Sequence, residues 1–165
     1  MAQVRWLDEE EQRTWREFVW GTRLLFEALD RQMQRDSGMP HTYYLILAML
    51  SEAPQRTLTM GQLADLVRSS PSRLSHAVAR LEENGWVERR KHPTDRRTTL
   101  AHLTDAGYAA LAKAAPGHVA AVRRHLFDRL TREQVKLLYD VFASVHEGLD
   151  PATERTRRFR PAADQ

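Results

Sequence analysis

Apolar residues recur at three- and four-residue steps along most of the chain, a spacing typical of amphipathic helices. The first such segment begins at Asp8, which has capping-box spacing to Glu11, and runs to about Arg35, where Ser37-Gly38 ends it. Its apolar positions are Trp15, Phe18, Val19, Leu25, Phe26, Leu29 and Met33. The pattern predicts a long N-terminal helix whose apolar face is wide enough to pack on a second subunit.

Three short helices are predicted next. A compact apolar helix is predicted over His41–Glu52, and Thr59 with Gln62 forms a capping box that opens the next one. Ser70 then precedes Pro71, a proline at the first helical position, where its missing N–H costs nothing. The helix that Ser70 caps is expected to run to about Asn84, and Gly85 is expected to end it in the left-handed conformation.

A hairpin is predicted directly after this helix. Residues 86–91 and 97–103 have the composition of two short strands, and Pro-Thr-Asp lies between them. Two short helices joined by a tight turn and followed by a hairpin form a winged helix-turn-helix.

Helices return at the C-terminal end. One begins after Thr104, and the Pro116-Gly117 step is expected to kink or break it, because an interior proline costs about 3 kcal/mol. Thr131 and Gln134 form a third capping box, which opens the last helix. The apolar seam of that helix consists of Val135, Leu138, Phe142, Val145 and Leu149.

The predicted fold class is mainly α with a small β-wing: a winged helix-turn-helix flanked by N- and C-terminal dimerisation helices. Residues 1–38 and 104–150 are assigned to the helical dimerisation region, and 39–103 to the DNA-binding region. Residues 151–165 are rich in charge, contain proline and show no helical or strand periodicity of apolar positions, so a disordered tail is expected there.

Charge is concentrated in the winged unit. Between Leu66 and Leu100 there are eight Arg or Lys and four acids, a net of +4, whereas the whole chain carries only +3. A positive charge confined to one helix and one hairpin favours binding to phosphates. The alternative is a helical protein-interaction module whose basic wing binds another protein.

The helix over residues 71–84 is the candidate for reading DNA in the major groove. Leu74, Ala77, Val78 and Leu81 form its inward stripe. Arginines and short hydroxyls are the side chains that read base edges, although a solvated helix face carries the same residue types. The DNA-contacting candidates here are Ser70, Ser72, Arg73, Ser75, His76 and Arg80.

The wing supplies the remaining candidates for DNA contact. They are Arg89, Arg90, Lys91, Asp95, Arg96 and Arg97. Asp95 is expected to hold the guanidinium two residues later through a bidentate pair, which would direct that arginine into the minor groove. Ordinary surface charge is the alternative.

Three segments carry a family resemblance: LEENGWVERR over residues 81–90, DRR over 95–97 and LTDAG over 103–107. With the capped helix before them, they resemble the MarR family of transcription regulators. The resemblance implies a homodimeric regulator, with a repressor favoured over an activator, on a pseudo-palindromic operator. It also implies that Arg97 is the wing arginine, with Asp95 as its partner.

The same resemblance implies release of DNA by a small aromatic or anionic ligand. The family's ligand lies between the DNA-binding lobe and the dimerising helices, and Arg23 stands about where members place a ligand-pairing arginine. Candidate ligand contacts are Trp20, Arg23, His41 and Tyr44. Core packing of the two aromatic rings and solvation of Arg23 are the favoured alternative. Family members that sense peroxide use a cysteine, and this chain has none.

Enzymatic classes find no support in the sequence. There is no Gly-rich phosphate loop, nucleophile elbow or isolated carboxylate pair. His118, His125 and His146 have no cysteine or acid at helical spacing to complete a metal site. We expect no enzymatic activity, no cofactor and no metal. Without an apolar span or leader, a cytoplasmic protein is expected, associated with the nucleoid when bound to DNA.

Overall fold

The computed structural model of the chain describes residues 4–95 and 97–149. Its α-helices are α1 (Glu9–Ser37), α2 (His41–Glu52), α3 (Met60–Leu66), α4 (Pro71–Glu83), α5 (Asp105–His125) and α6 (Arg132–Leu149). Its strands are β1 (Thr57–Thr59), β2 (Val87–Lys91) and β3 (Thr99–Leu103). The mainly helical fold with a small wing is confirmed. Arg96 and the tail predicted over residues 151–165 lie outside the described residues.

Helix α1 begins and ends where the sequence predicts. The Asp8 carboxylate accepts the backbone N–H of Glu11 at 2.8 Å, and Glu11 accepts the backbone N–H of Asp8 at 2.9 Å. Gly38 ends the helix in the left-handed conformation at φ 66°, where an L side chain is strained. The predicted capping boxes at Thr59–Gln62 and Thr131–Gln134 are formed as well.

The sheet has one strand more than the sequence predicts. Its order is β1-β3-β2, with both pairs antiparallel and Leu58 opposite Ala101. The sequence predicts no strand before the wing, yet residues 57–59 form the three-residue strand β1. A strand this short has no alternation to detect, and only its pairing with β3 defines it.

The core lies between α2, α3, α4 and the sheet, and α1 and α5 close it. Apolar side chains from each of these elements are nearly inaccessible to solvent. The fully buried ones include Met33, Ile46, Leu47, Leu50, Leu63, Leu74, Leu81, Val87 and Leu103. The predicted inward stripe of α4 is confirmed, since Leu74, Ala77, Val78 and Leu81 are all buried. That burial sets which face of α4 points outward.

Helix α5 is continuous, so the predicted break at Pro116-Gly117 is wrong. The reason lies in packing. A Cβ at Gly117 would come within 3.1 Å of the Gln32 amide nitrogen and 3.5 Å of an Asp36 carboxylate oxygen. The glycine therefore lets α5 approach α1 closely, and the contact between the two helices offsets the hydrogen bond that Pro116 cannot make.

Candidate nucleic-acid interface

The outward face of α4 carries the predicted reading residues. The Ser70 hydroxyl caps the helix by accepting the backbone N–H of Arg73 at 3.4 Å, and Pro71 occupies the first turn. The side chains opposite the buried stripe are exposed: Ser72, Arg73, Ser75, His76 and Arg80. The structure thus places these five candidates on one accessible helix face, with Ser70 at its start.

The wing is a hairpin of β2 and β3 whose basic residues point to solvent. Arg89, Arg90 and Lys91 are exposed on β2, while Val87 at the start of that strand is buried in the core. Antiparallel pairing places Arg89 opposite the buried Ala101. The wing is therefore fixed to the core at its base, and its basic residues stand next to the exposed face of α4.

Asp95 organises the wing tip through the backbone. Its carboxylate accepts the backbone N–H of Arg97 at 3.0 Å and the hydroxyl of Thr98 at 2.6 Å. These two hydrogen bonds, that from Thr98 first, hold the pKa of Asp95 below its usual range. The predicted pairing of Asp95 with Arg97 therefore involves the Arg97 backbone and not its guanidinium. An aspartate at the start of a turn readily accepts the backbone N–H two residues on, and this contact does not require the long Arg97 side chain to be ordered.

Three of the predicted contact arginines are already ion-paired. Arg80 bonds Glu83 at 2.7 Å, Arg89 bonds Glu82 at 2.7 Å and Arg90 bonds Glu88 at 2.8 Å. The hydrogen bonds from Arg89 and Arg90 lower the pKa values of Glu82 and Glu88, so both carboxylates stay charged.

Three other predicted contact residues carry a positive charge that no acidic side chain neutralises within the described part of the chain. Within residues 4–95 and 97–149, the side chains of Arg73, Lys91 and Arg97 make no ion pair. A cation without an acidic partner can give its full charge to a phosphate or base.

A cleft of about 470 Å³ separates the wing from the helices. It is lined by Thr59, Met60, Gly61, Ser75, Arg89, Arg97, Thr98 and Thr99. Two guanidinium groups and several hydroxyls thus surround one opening between the start of α3, the reading helix and the wing. This donor set suits an anionic oxygen.

The predicted ligand residues lie in two different environments. The Arg23 guanidinium lies 5.7 Å from the ring centroid of Trp20, and Trp20 is 60% exposed on α1. His41 and Tyr44 are instead buried at the start of α2, where their rings are stacked. The core interpretation thus fits His41 and Tyr44, while Trp20 is at the surface.

At the junction of α1, α2 and α5, His41 and Tyr44 lie near two residues that were not among the candidate ligand contacts, Gln32 and His118. The His118 ring lies 4.3 Å from that of Tyr44, and Gln32 bonds Asp36 at 2.8 Å. Among the described residues, three buried side-chain polar atoms lack a hydrogen-bond partner: Gln32 Oε1, His41 Nε2 and His118 Nδ1. All three belong to this junction. A hint in the sequence was the placement of Pro116-Gly117 beside His118, since a glycine in a helix signals a close helix contact.

No group of three or more His, Cys, Asp or Glu within residues 4–95 and 97–149 is arranged to hold a metal ion. None of the helices described is long and apolar enough to cross a bilayer.

A capped helix with an exposed polar and basic face, beside a two-stranded wing, defines a winged helix-turn-helix protein. The sequence model of the MarR family matches residues 37–98 of the chain. The chain is similar to Sco3205, a MarR family transcriptional regulator from Streptomyces coelicolor solved in complex with DNA. Identity is 53%, coverage is 92% of this chain and 94% of that chain, and the TM-score is 0.87. The chain belongs to the MarR family of transcription regulators.

Two more relatives agree with this assignment. AbsC, a MarR family regulator from Streptomyces coelicolor, is 36% identical over 93% of this chain and 99% of its own, with a TM-score of 0.76. YetL, an HTH-type transcriptional repressor from Bacillus subtilis, is 30% identical over 64% of this chain and 65% of its own. The chain spans 59% of the length of the uncharacterised HTH-type regulators of Bacillus cereus that it matches.

Proposed function

We propose that this protein is a homodimeric transcription regulator that binds a pseudo-palindromic DNA operator. The observation that carries the proposal is the adjacency of the exposed α4 face with Arg73 to a wing whose Lys91 and Arg97 make no ion pair among the described residues. The reading helix would enter the major groove and the wing would contact the neighbouring backbone or minor groove. Sco3205, at 53% identity, was solved bound to DNA, which supports the same partner here.

The dimer is supported by apolar surface that this chain leaves uncovered. No side chain of α6 is buried, and Phe142 and Val145 are 42% and 49% exposed. On α1, Trp15 and Phe18 are exposed too, and the rings of Phe18 and Phe142 lie 5.8 Å apart. Contiguous apolar surface of this kind marks an interaction site, and a second copy covers both helices at once in an isologous contact. In this proposal residues 1–38 and 104–150 form the dimerisation region.

Repression is the favoured mode of regulation. A dimer that spans two adjacent major grooves covers the DNA between them, which excludes other proteins from that stretch. The relative YetL is a repressor by name. We place the protein in the cytoplasm, on the nucleoid when bound.

Release by a small aromatic anion is a further part of the proposal. The Arg23 guanidinium over Trp20 offers a cation and an exposed indole on α1, a pair that suits a planar carboxylate. A ligand here would act by preferring one spacing of the two reading helices over the other. Millimolar salicylate should weaken operator binding, and Arg23→Ala should blunt that effect. If a panel of aromatic anions shifts neither DNA binding nor melting temperature, the effector site is disproved while DNA binding stands.

The main test is selection of duplex DNA from a random library by the purified protein. The enriched sequences should contain an inverted repeat with half-site centres about one DNA turn, roughly 34 Å, apart. A protein that enriches no duplex, yet captures a protein ligand through its wing, would favour the interaction-module alternative instead.

A further inference from the structure

Glu82 links the end of the reading helix to the wing. It lies in the last turn of α4, and its Oε1 atom accepts the backbone N–H of Arg89 on β2 at 3.1 Å. Its Oε2 atom accepts the Arg89 Nε–H at 2.8 Å and lies 2.7 Å from a terminal guanidinium nitrogen. One carboxylate therefore holds both the backbone and the side chain of the same arginine.

This link determines where Arg89 points. The guanidinium lines the cleft between α4 and the wing, together with Ser75 and Arg97. A free arginine side chain has high rotamer entropy, and a charge-assisted contact from two of its nitrogens to one carboxylate oxygen removes much of that freedom before DNA arrives. Because the backbone N–H is held as well, the β2 strand is fixed relative to the reading helix.

The position of this acid is otherwise unfavourable for the proposed function. Glu82 and Arg89 are each 36% exposed, and Arg89 lines the cleft beside the wing, so the carboxylate lies close to the surface proposed to meet DNA phosphates. Electrostatics alone predicts that such a charge weakens binding. A geometric benefit must exceed that repulsion if the residue is to help.

We propose that Glu82 is a positioning residue for DNA binding, which holds Arg89 and the wing at a fixed place relative to α4 so that the cleft accepts a backbone phosphate. This inference rests on the proposed function, since it names the part of the DNA that the cleft would take. Arg89 would contact the phosphate with its remaining N–H groups while Glu82 holds it.

The next residue in the chain provides a matched control. Glu83 is also an exposed acid in the last turn of α4, and it also pairs with an arginine at 2.7 Å. Its partner, Arg80, belongs to the same helix, so this pair cannot fix the wing relative to α4. Glu82→Gln and Glu83→Gln remove the same charge at adjacent positions, and only the first removes the carboxylate that holds the Arg89 guanidinium.

The experiment measures the affinity of each variant for the selected operator by fluorescence anisotropy at two salt concentrations, with melting temperatures recorded in parallel. We expect Glu82→Gln to weaken binding about fivefold, while Glu83→Gln leaves it unchanged or tightens it. Arg89→Lys keeps the cation but loses the Nε–H that Glu82 accepts, and should weaken binding to a similar degree.

The Arg89→Gln background separates positioning from a general loss of stability. There Glu82 has no guanidinium to hold and accepts only the backbone N–H at position 89, a bond that the amide oxygen of Glu82→Gln can keep. Removal of the charge by Glu82→Gln should therefore tighten binding in this background. The inference is overturned if Glu82→Gln and Glu83→Gln behave alike, or if Glu82→Gln acts in the same direction in both backgrounds. A wild-type protein that binds no duplex at all overturns the proposed function itself.

Discussion

The imidazole rings of His41 and His118 lie 5.2 Å apart, centroid to centroid, at the junction of α2 with α5. The pKa values of both residues are lowered, mainly because burial removes water from around the charged form of each ring. Asp30 on α1 opposes the shift at His41, whose backbone N–H it accepts at 2.8 Å, while His41 itself lowers the pKa of His118. Two neutral rings are therefore packed where one added proton would be poorly accommodated.

Stability should fall as the solution is acidified through this pair. The unfolded chain takes up protons near the ordinary histidine pKa of 6.5, whereas the folded chain takes them up only at lower pH. The contribution of these two histidines to the free energy of unfolding is thus complete above pH 6.5, and it declines as the pH falls below that value. Urea unfolding at pH 7.5 and 5.5 measures the decline.

His118→Phe identifies the source of that decline. Phenylalanine keeps a ring against Tyr44 but cannot take up a proton, so the loss of stability between the two pH values should shrink. His76→Gln, which removes an exposed imidazole from α4, is the control. An unchanged pH dependence in His118→Phe would contradict the assignment.

Arg73 and Arg97, whose side chains make no ion pair among the described residues, should matter more for DNA binding than Arg90, which pairs with Glu88 on its own strand. Arg73→Ala is expected to cost about 1–3 kcal/mol and to relax preference at one position per half-site, because the side chain reads a base edge. Arg97→Ala should weaken binding as well and lower the salt slope by about 1. Arg90→Ala should cost less, because Glu88 already neutralises this arginine at 2.8 Å. Equal losses for Arg90→Ala and Arg97→Ala would refute this order.

The turn at the wing tip should support binding independently of its charge. Thr98→Val removes the hydroxyl that Asp95 accepts at 2.6 Å without changing any charge, and should weaken operator binding by about 1 kcal/mol. Asp95→Ala should weaken it at least as much, although removal of an acid near DNA would otherwise tighten binding. Tighter binding by Asp95→Ala would show that charge outweighs geometry here.

Gly107 should tolerate no side chain. A Cβ there would collide with the backbone carbonyl oxygen of Trp86 and come within 2.8 Å of Leu103 Cδ1. Gly107→Ala is expected to destabilise the fold by about 1–3 kcal/mol in chemical denaturation, because backbone must move to make room. Gly117→Ala, which meets the flexible end of Gln32, should cost less, and Gly21→Ala, with nothing within 4 Å, should cost least. A reversed order would contradict this packing.

Charge placed on the apolar face of α6 should prevent association. Leu138→Asp with Phe142→Asp is expected to lower the mass seen by sedimentation from twice to once the 19.1-kDa chain, or to unfold it, because two charges would be buried in the contact. Operator binding should be lost with the dimer. Lys136→Asp, on the polar face of the same helix, should change neither. A double variant that stays folded, monomeric and fully competent on a palindrome would disprove the dimer.

Helix boundaries followed from the sequence because local chemistry decides them. Asp8, Thr59 and Ser70 each satisfy backbone N–H groups within three residues, and Gly38 adopts its left-handed turn whatever the distant chain does. The apolar stripe of α4 likewise determined which of its residues face outward. Reading these local signals was enough to predict the reading helix and the wing.

Long-range contacts decided the rest, because they depend on which elements meet. Strand β1 exists only through its pairing with β3, and α5 stays continuous at Pro116 because Gly117 allows it to lie close against α1. The sequence suggests His41 and Tyr44 as candidate ligand contacts together with Arg23, and only the packing of α2 on α5 shows that their rings lie against His118. Charge counting likewise could not separate paired from unpaired arginines. Glu82 reaches Arg89 only because the chain turns back after α4, and a charge pair is defined by distance in space, not by position in the chain.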